Sequence, residues 1–82
     1  MPELLRIGKL KFIIRAERKV RHHRPHIHVI KAECEAVFSL DHSVECLGYV
    51  EFRESDVRKI KLIVERYRDL FLEEWSNINE EN

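Results

Sequence analysis

Glycine and proline are scarce in this sequence, with two of each among 82 residues, and its charges balance to a formal net charge of zero. This composition excludes collagen-like and low-complexity chains, and an apolar share of 44% is too high for a disordered tail. No apolar run exceeds three residues, as at positions 12–14, so we expect no membrane partner. The sequence therefore predicts one small domain over residues 1–82, whose marginal core favours a partner or a homodimer.

Cysteine is also scarce, since only Cys34 and Cys46 are present, and they form no C-x-x-C motif. The opening Met1-Pro2-Glu3 is not followed by the basic stretch and long apolar core of a secretory signal. We therefore expect a cytoplasmic protein in which both thiols are free.

The zero net charge conceals a strong asymmetry along the chain. Residues 1–32 hold nine Lys and Arg against two Glu, a net of +7, and residues 33–82 hold six against thirteen acidic residues, a net of −7. Two interpretations stay open. The halves fold against each other with their charges solvated or locally paired, or the first half presents a basic face to a polyanion.

Alternating apolar residues predict β-strands over residues 1–52. The predicted strands are residues 10–15, 26–31, 36–40 and a weaker one at 44–47, with a short candidate at 4–7. Residues 17–25 carry so many charges that we expect an exposed loop there.

After residue 55 the apolar spacing becomes that of a helix. One stripe is formed by Val57, Ile60, Ile63, Val64, Tyr67, Leu70, Phe71, Trp75 and Ile78. With Ser55 as N-cap, it predicts one long helix over about residues 55–77. Because this stripe needs a covering surface, we expect an α+β fold in which the helix packs across one face of a small antiparallel sheet of three or four strands. Trp75, Tyr49 and Phe52 are expected to close the core.

Four segments, in this order, resemble one protein family. They are residues 2–8, the P-H-x-H-V strand at 25–29, the E-A-x-F-x-L-D segment at 35–41 and the L-E-x-W helix end at 72–75. On these motifs the chain resembles a small bacterial family, the domain-of-unknown-function 4160 family. The resemblance implies a bacterial origin and, often, a neighbouring gene of the toxin–antitoxin type.

His26 and His28 are two positions apart in a predicted strand, so their side chains share one face. Ile27 and Val29 point the other way and are expected under the helix. We therefore expect both histidines on the open face of the sheet. Three interpretations stay open: the histidines are structural, they have a functional role in contacting a substrate or partner, or they bind a metal.

The metal interpretation needs ligands beyond this single H-x-H pair. Further candidates are His22, His23, Cys34 and Cys46. Their spacing matches no structural zinc pattern, so we predict neither a metal nor a cofactor.

A basic loop precedes the histidine strand and suits RNA phosphates. The candidate binding residues are Arg18, Lys19, Arg21, His22, His23, Arg24 and Lys31. If bound RNA were cleaved, His26 and His28 would supply the general base and acid, which makes a metal-independent ribonuclease the first enzymatic hypothesis. The opposing interpretation is a loop that is merely solvated.

The favoured function is a component of a toxin–antitoxin-like pair. It would bind RNA or a cognate protein through the basic loop and the sheet face that bears His26 and His28, and whether it is an enzyme stays open. The alternative is a non-catalytic protein-interaction module with structural histidines, which recruits its partner through the outer helix residues or an open sheet edge.

Overall fold

The computed structural model describes residues 3–14 and 25–80. These residues form strands β1 (Glu3–Ile7), β2 (Leu10–Ile13), β3 (His26–Lys31), β4 (Cys34–Ser39) and β5 (Cys46–Val50), and helices α1 (Glu54–Arg66) and α2 (Arg68–Glu80). All strand pairs are antiparallel, and the sheet order follows the chain order. The predicted α+β class is confirmed, whereas the expectations of three or four strands and of one long helix are wrong.

Short turns explain why neighbouring strands pair in chain order. Gly8 begins the turn between β1 and β2 with a φ of 58°, and Ala32 begins the turn between β3 and β4 with a φ of 53°. Two-residue hairpin turns require this left-handed backbone because it matches the twist of the strands. The connection between β2 and β3, which contains the basic loop, lies outside the described residues.

The last strand lies further along the chain than the predicted strand at residues 44–47. β5 passes through Gly48, where the sequence predicted an end, because Gly48 pairs with Val37 and Tyr49 pairs with Ala36 of β4. The segment before β5 is held by Ser39, whose Oγ accepts the Glu45 N–H at 3.0 Å and donates to the Ser43 carbonyl at 2.8 Å. Pairing with a formed neighbour therefore outweighs the low strand propensity of glycine.

The C-terminal helical region is interrupted at Tyr67, whose φ of −103° and ψ of 13° leave the helical range. Next to this break, Arg68 Nε donates to the Leu40 carbonyl at 2.7 Å and thereby ties the start of α2 to the end of β4. No glycine or proline marks the position, so the sequence contained no signal for two helices. Neither described helix has the length and apolarity that crossing a membrane requires.

The core lies between the helices and one face of the sheet. Register places Phe12 opposite Val29 and Val29 opposite Ala36, so these side chains share that face. The largest fully buried hydrophobic side chains are Phe12, Phe38, Phe71, Ile14, Ile27, Leu40, Val29 and Val64. The expectation that Ile27 and Val29 face the helices is confirmed. Leu72 packs against this core, whereas Leu62 is 67% exposed on the outer side of α1.

Candidate functional site

The two histidines of β3 share a face, as the strand period predicts. His28 is paired in register with Ile13 of β2 and with Val37 of β4, whereas Val29 is paired with Phe12 on the core side. The ring centroids of His26 and His28 lie 5.0 Å apart in an edge-to-face arrangement. The sequence therefore located this pair correctly on the sheet.

The expectation that both histidines are uncovered is wrong. His28 is only 7% exposed, and Ile13 and Ser39, on the same side of the sheet, are buried too. His26 is half-buried. Alternation along a strand decides the side of the sheet to which a residue points, but it does not decide whether that side is covered.

A carboxylate orients the buried imidazole. His28 Nδ1 lies 3.0 Å from Glu35 Oε2, and the Glu35 side chain is 37% exposed. An ionised carboxylate can only accept a hydrogen bond, so Nδ1 is the donor in this contact. The pair is diagonal across the β3–β4 hairpin, since Glu35 is two residues from Val37, the direct partner of His28.

Helix α2 reaches the histidines through its single tryptophan. The Trp75 ring centroid lies 4.9 Å from that of His26, with the planes inclined at 57°. Trp75 is buried and belongs to the core cluster, which confirms its expected role as a core residue. The helix that closes the core therefore also covers the start of β3.

The arrangement of His26, His28, Glu35 and Trp75 is suited to holding an imidazole in place. A carboxylate at Nδ1 is the arrangement that prepares a histidine to act as a base through Nε2. In this protein Nε2 is fully buried, so a substrate would have to displace covering groups to reach it. A structural role for His28 fits this geometry better, and whether either histidine is catalytic stays a prediction.

The predicted basic binding residues are not all brought to the histidines. Lys31 is exposed at the other end of β3, on the opposite face and roughly 16 Å from His26 along the strand. There it lines a cavity of about 200 Å³ with Leu10, Phe52 and Ile60 among others. The other candidates lie outside the described residues; they are Arg18, Lys19, Arg21, His22, His23 and Arg24.

Metal-binding groups do not converge in the part of the chain that the structure describes. No set of three or more His, Cys, Asp or Glu residues there could hold a metal ion. Cys34 and Cys46 are free thiols, and each is half-buried in its strand.

A comparison with protein families tests the resemblance directly. The model of a domain of unknown function, DUF4160, matches residues 10–76. The chain belongs to the DUF4160 family. No curated protein and no solved structure matches the chain.

The DUF4160 match contains two features that sequence reasoning missed. The first is Glu35 as the partner of His28. A two-residue turn at Ala32 and Glu33 would have predicted this pair. Such a turn places His28 opposite Val37, and Glu35 is then its diagonal neighbour on the same face.

The second feature within the DUF4160 match is the edge strand β5. Its large side chains are exposed, with Leu47 at 51%, Tyr49 at 47% and Val50 at 60%. The expectation that Tyr49 closes the core is wrong, while Phe52 is buried as expected. β5 therefore ends the sheet as an apolar edge strand whose residues from Leu47 to Val50 are exposed.

Proposed function

We propose that this DUF4160 protein is one component of a toxin–antitoxin-like pair and acts by binding its cognate protein, the product of a neighbouring gene. The observation that carries the proposal is β5, an edge strand with three large exposed apolar side chains. An exposed edge offers unpaired N–H and C=O groups to another chain, and exposed apolar patches mark interaction surfaces. The resemblance implied a neighbouring gene of the toxin–antitoxin type, and we expect the partner to be encoded there.

In this proposal the histidines are structural. His28 is buried, bonded to Glu35 and adjacent to His26, which in turn packs against Trp75. These contacts stabilise β3, the strand at the centre of the sheet. In this proposal the partner is recognised by β5, at the edge of the sheet.

Co-production with the product of each neighbouring gene tests the proposal. We expect a stable complex with one of them, detected by size-exclusion chromatography and light scattering. Tyr49→Lys should lower the affinity at least tenfold, or about 1.4 kcal/mol, because it puts a flexible charged side chain in place of an aromatic contact.

Leu62→Lys is the matched control, since Leu62 is at least as exposed but lies on α1. It should leave the affinity unchanged. If neither gene product forms a complex, or if Leu62→Lys weakens the complex as much as Tyr49→Lys does, the proposal is wrong.

RNA binding is the second candidate function, and the excess of +7 in residues 1–32 favours it. We expect an affinity for single-stranded RNA that falls steeply with salt, because each phosphate contact releases counterions. The combined variant Arg18→Ala/Arg21→Ala/Arg24→Ala should lose at least about tenfold in fluorescence anisotropy. Binding that changes neither with salt nor with these substitutions would eliminate this candidate. RNA cleavage that is lost in His26→Ala would add an enzymatic role.

A further inference from the structure

The β4–β5 half of the sheet is acidic. Residues 32–52 contain no Lys or Arg and five acidic residues, namely Glu33, Glu35, Asp41, Glu45 and Glu51. Glu45 and Glu51 are both exposed and stand immediately before and after β5. The edge is therefore an uncharged apolar strand with a carboxylate at each end.

The opposite edge of the sheet has a different character. β1 carries an ion pair of its own, in which Arg6 Nε donates to Glu3 Oε1 at 2.6 Å. The Arg6 guanidinium lowers the pKa of the Glu3 carboxyl, mainly through this hydrogen bond. Charged side chains on an edge strand discourage pairing with another chain, and the described residues of β5 have no such protection.

One face of β5 is open at Gly48. A Cβ built on Gly48 would meet no atom within 4 Å, so a large side chain from a paired strand has room at this position. Val50, two positions further along β5, lies on the same face as Gly48 and would flank that side chain.

We infer that β5 binds an extended, apolar strand of the cognate protein that carries Lys or Arg at its ends, and so adds a sixth strand to the sheet. Main-chain hydrogen bonds and apolar contacts provide the affinity in this mode of recognition. The carboxylates of Glu45 and Glu51 favour a partner strand with basic ends. The inference rests on the proposed function and adds the chemistry of the partner to it.

A second copy of the chain is a poorer occupant of this edge. Antiparallel pairing of two β5 strands about Gly48 places Glu45 of one copy opposite Glu51 of the other, and it does so twice. Like charges directly opposite each other in a sheet are destabilising. A basic-ended strand avoids this repulsion.

Two synthetic peptides test the inference with the full chain. Both consist of alternating valine and threonine; one ends in lysines and the other in glutamates. Nuclear magnetic resonance titration should show amide shifts in β5 with the lysine-ended peptide, which should bind about tenfold more tightly at low salt. The double variant Glu45→Lys/Glu51→Lys should reverse the preference, while the control Glu65→Lys/Glu73→Lys, at exposed helix positions, should preserve it.

Three results would overturn the inference: equal binding of both peptides, shifts that map to the helices instead of β5, or sedimentation showing that the free chain dimerises through β5. A cognate complex that is sensitive to Tyr49→Lys but indifferent to reversal of Glu45 and Glu51 would leave the proposed function intact and reject the basic strand. Absence of any cognate complex would reject the proposed function, and a clear preference for the lysine-ended peptide would then show only that the β5 edge selects strands with basic ends.

Discussion

Replacement of Phe71 by alanine is expected to destabilise the domain by about 3–5 kcal/mol. Phe71 is fully buried, its ring stacks on Phe12 with centroids 5.7 Å apart and planes 18° from parallel, and the Tyr67 ring centroid lies 6.3 Å from that of Phe71. Phe71→Ala therefore leaves a cavity between α2 and β2 that the rigid sheet cannot close. An 82-residue chain has a total stability of only about 4–12 kcal/mol, so the variant should lose between about a quarter and all of that stability.

Urea denaturation followed by circular dichroism measures this loss. The control is Leu70→Ala, since Leu70 is the preceding residue of the same helix but is 40% exposed. It should cost about 1 kcal/mol or less, because little apolar area leaves water there. Equal losses for the two variants would show that Phe71 does not join the helix to the sheet in the way described.

Replacement of His28 by alanine should also destabilise the domain strongly, with a loss of about 2–4 kcal/mol. The variant removes a buried ring and the hydrogen bond from Nδ1 to Glu35 at 3.0 Å. The loss exceeds that of a surface histidine because the surrounding strands hold their positions and cannot refill the space.

A double-mutant cycle separates the hydrogen bond from the packing. Glu35→Ala alone should cost less than His28→Ala, because the Glu35 side chain is more than one-third exposed and water replaces part of its interaction. If the pair is formed as described, the double variant His28→Ala/Glu35→Ala should lose about 0.5–1.5 kcal/mol less than the sum of the two single losses. Strict additivity would mean that the two side chains do not interact in solution.

These stability measurements also bear on the function of the histidines. A His28→Ala variant that fails to fold cannot report on catalysis, so loss of activity in that variant alone would be uninformative. His26 is the better probe of an enzymatic role, because it is only half-buried and packs against Trp75 at the margin of the core. The same reasoning favours edge variants, such as Tyr49→Lys, for mapping the partner.

Much of the fold could be predicted from local pattern. The alternation at residues 26–31 correctly placed Ile27 and Val29 in the core and His26 and His28 on the other side, because the strand period permits no other arrangement. The three-and-four spacing from Val57 to Trp75 predicted the helical stripe that covers the sheet, except that Leu70, assigned to the stripe, is 40% exposed. The motifs around these residues also predicted the family to which the chain belongs.

Other features depended on contacts between distant residues. The break at Tyr67 accompanies a hydrogen bond between Arg68 and Leu40, which are 28 positions apart. The burial of His28 could not be deduced from β3 alone, since it depends on what lies over that side of the sheet.

By itself, the amino-acid sequence determined where the apolar residues follow strand spacing and where they follow helix spacing, and with that the class of fold. It also determined the side of the sheet on which each residue of β3 lies, because strand geometry alone fixes the direction in which successive side chains point. Only the tertiary structure decided that His28 is covered and bonded to Glu35, and that β5 is an exposed edge with acidic ends. Both outcomes depend on which strands become neighbours and which strand is left last, and the free energy of that pairing is shared between segments that are far apart in the chain.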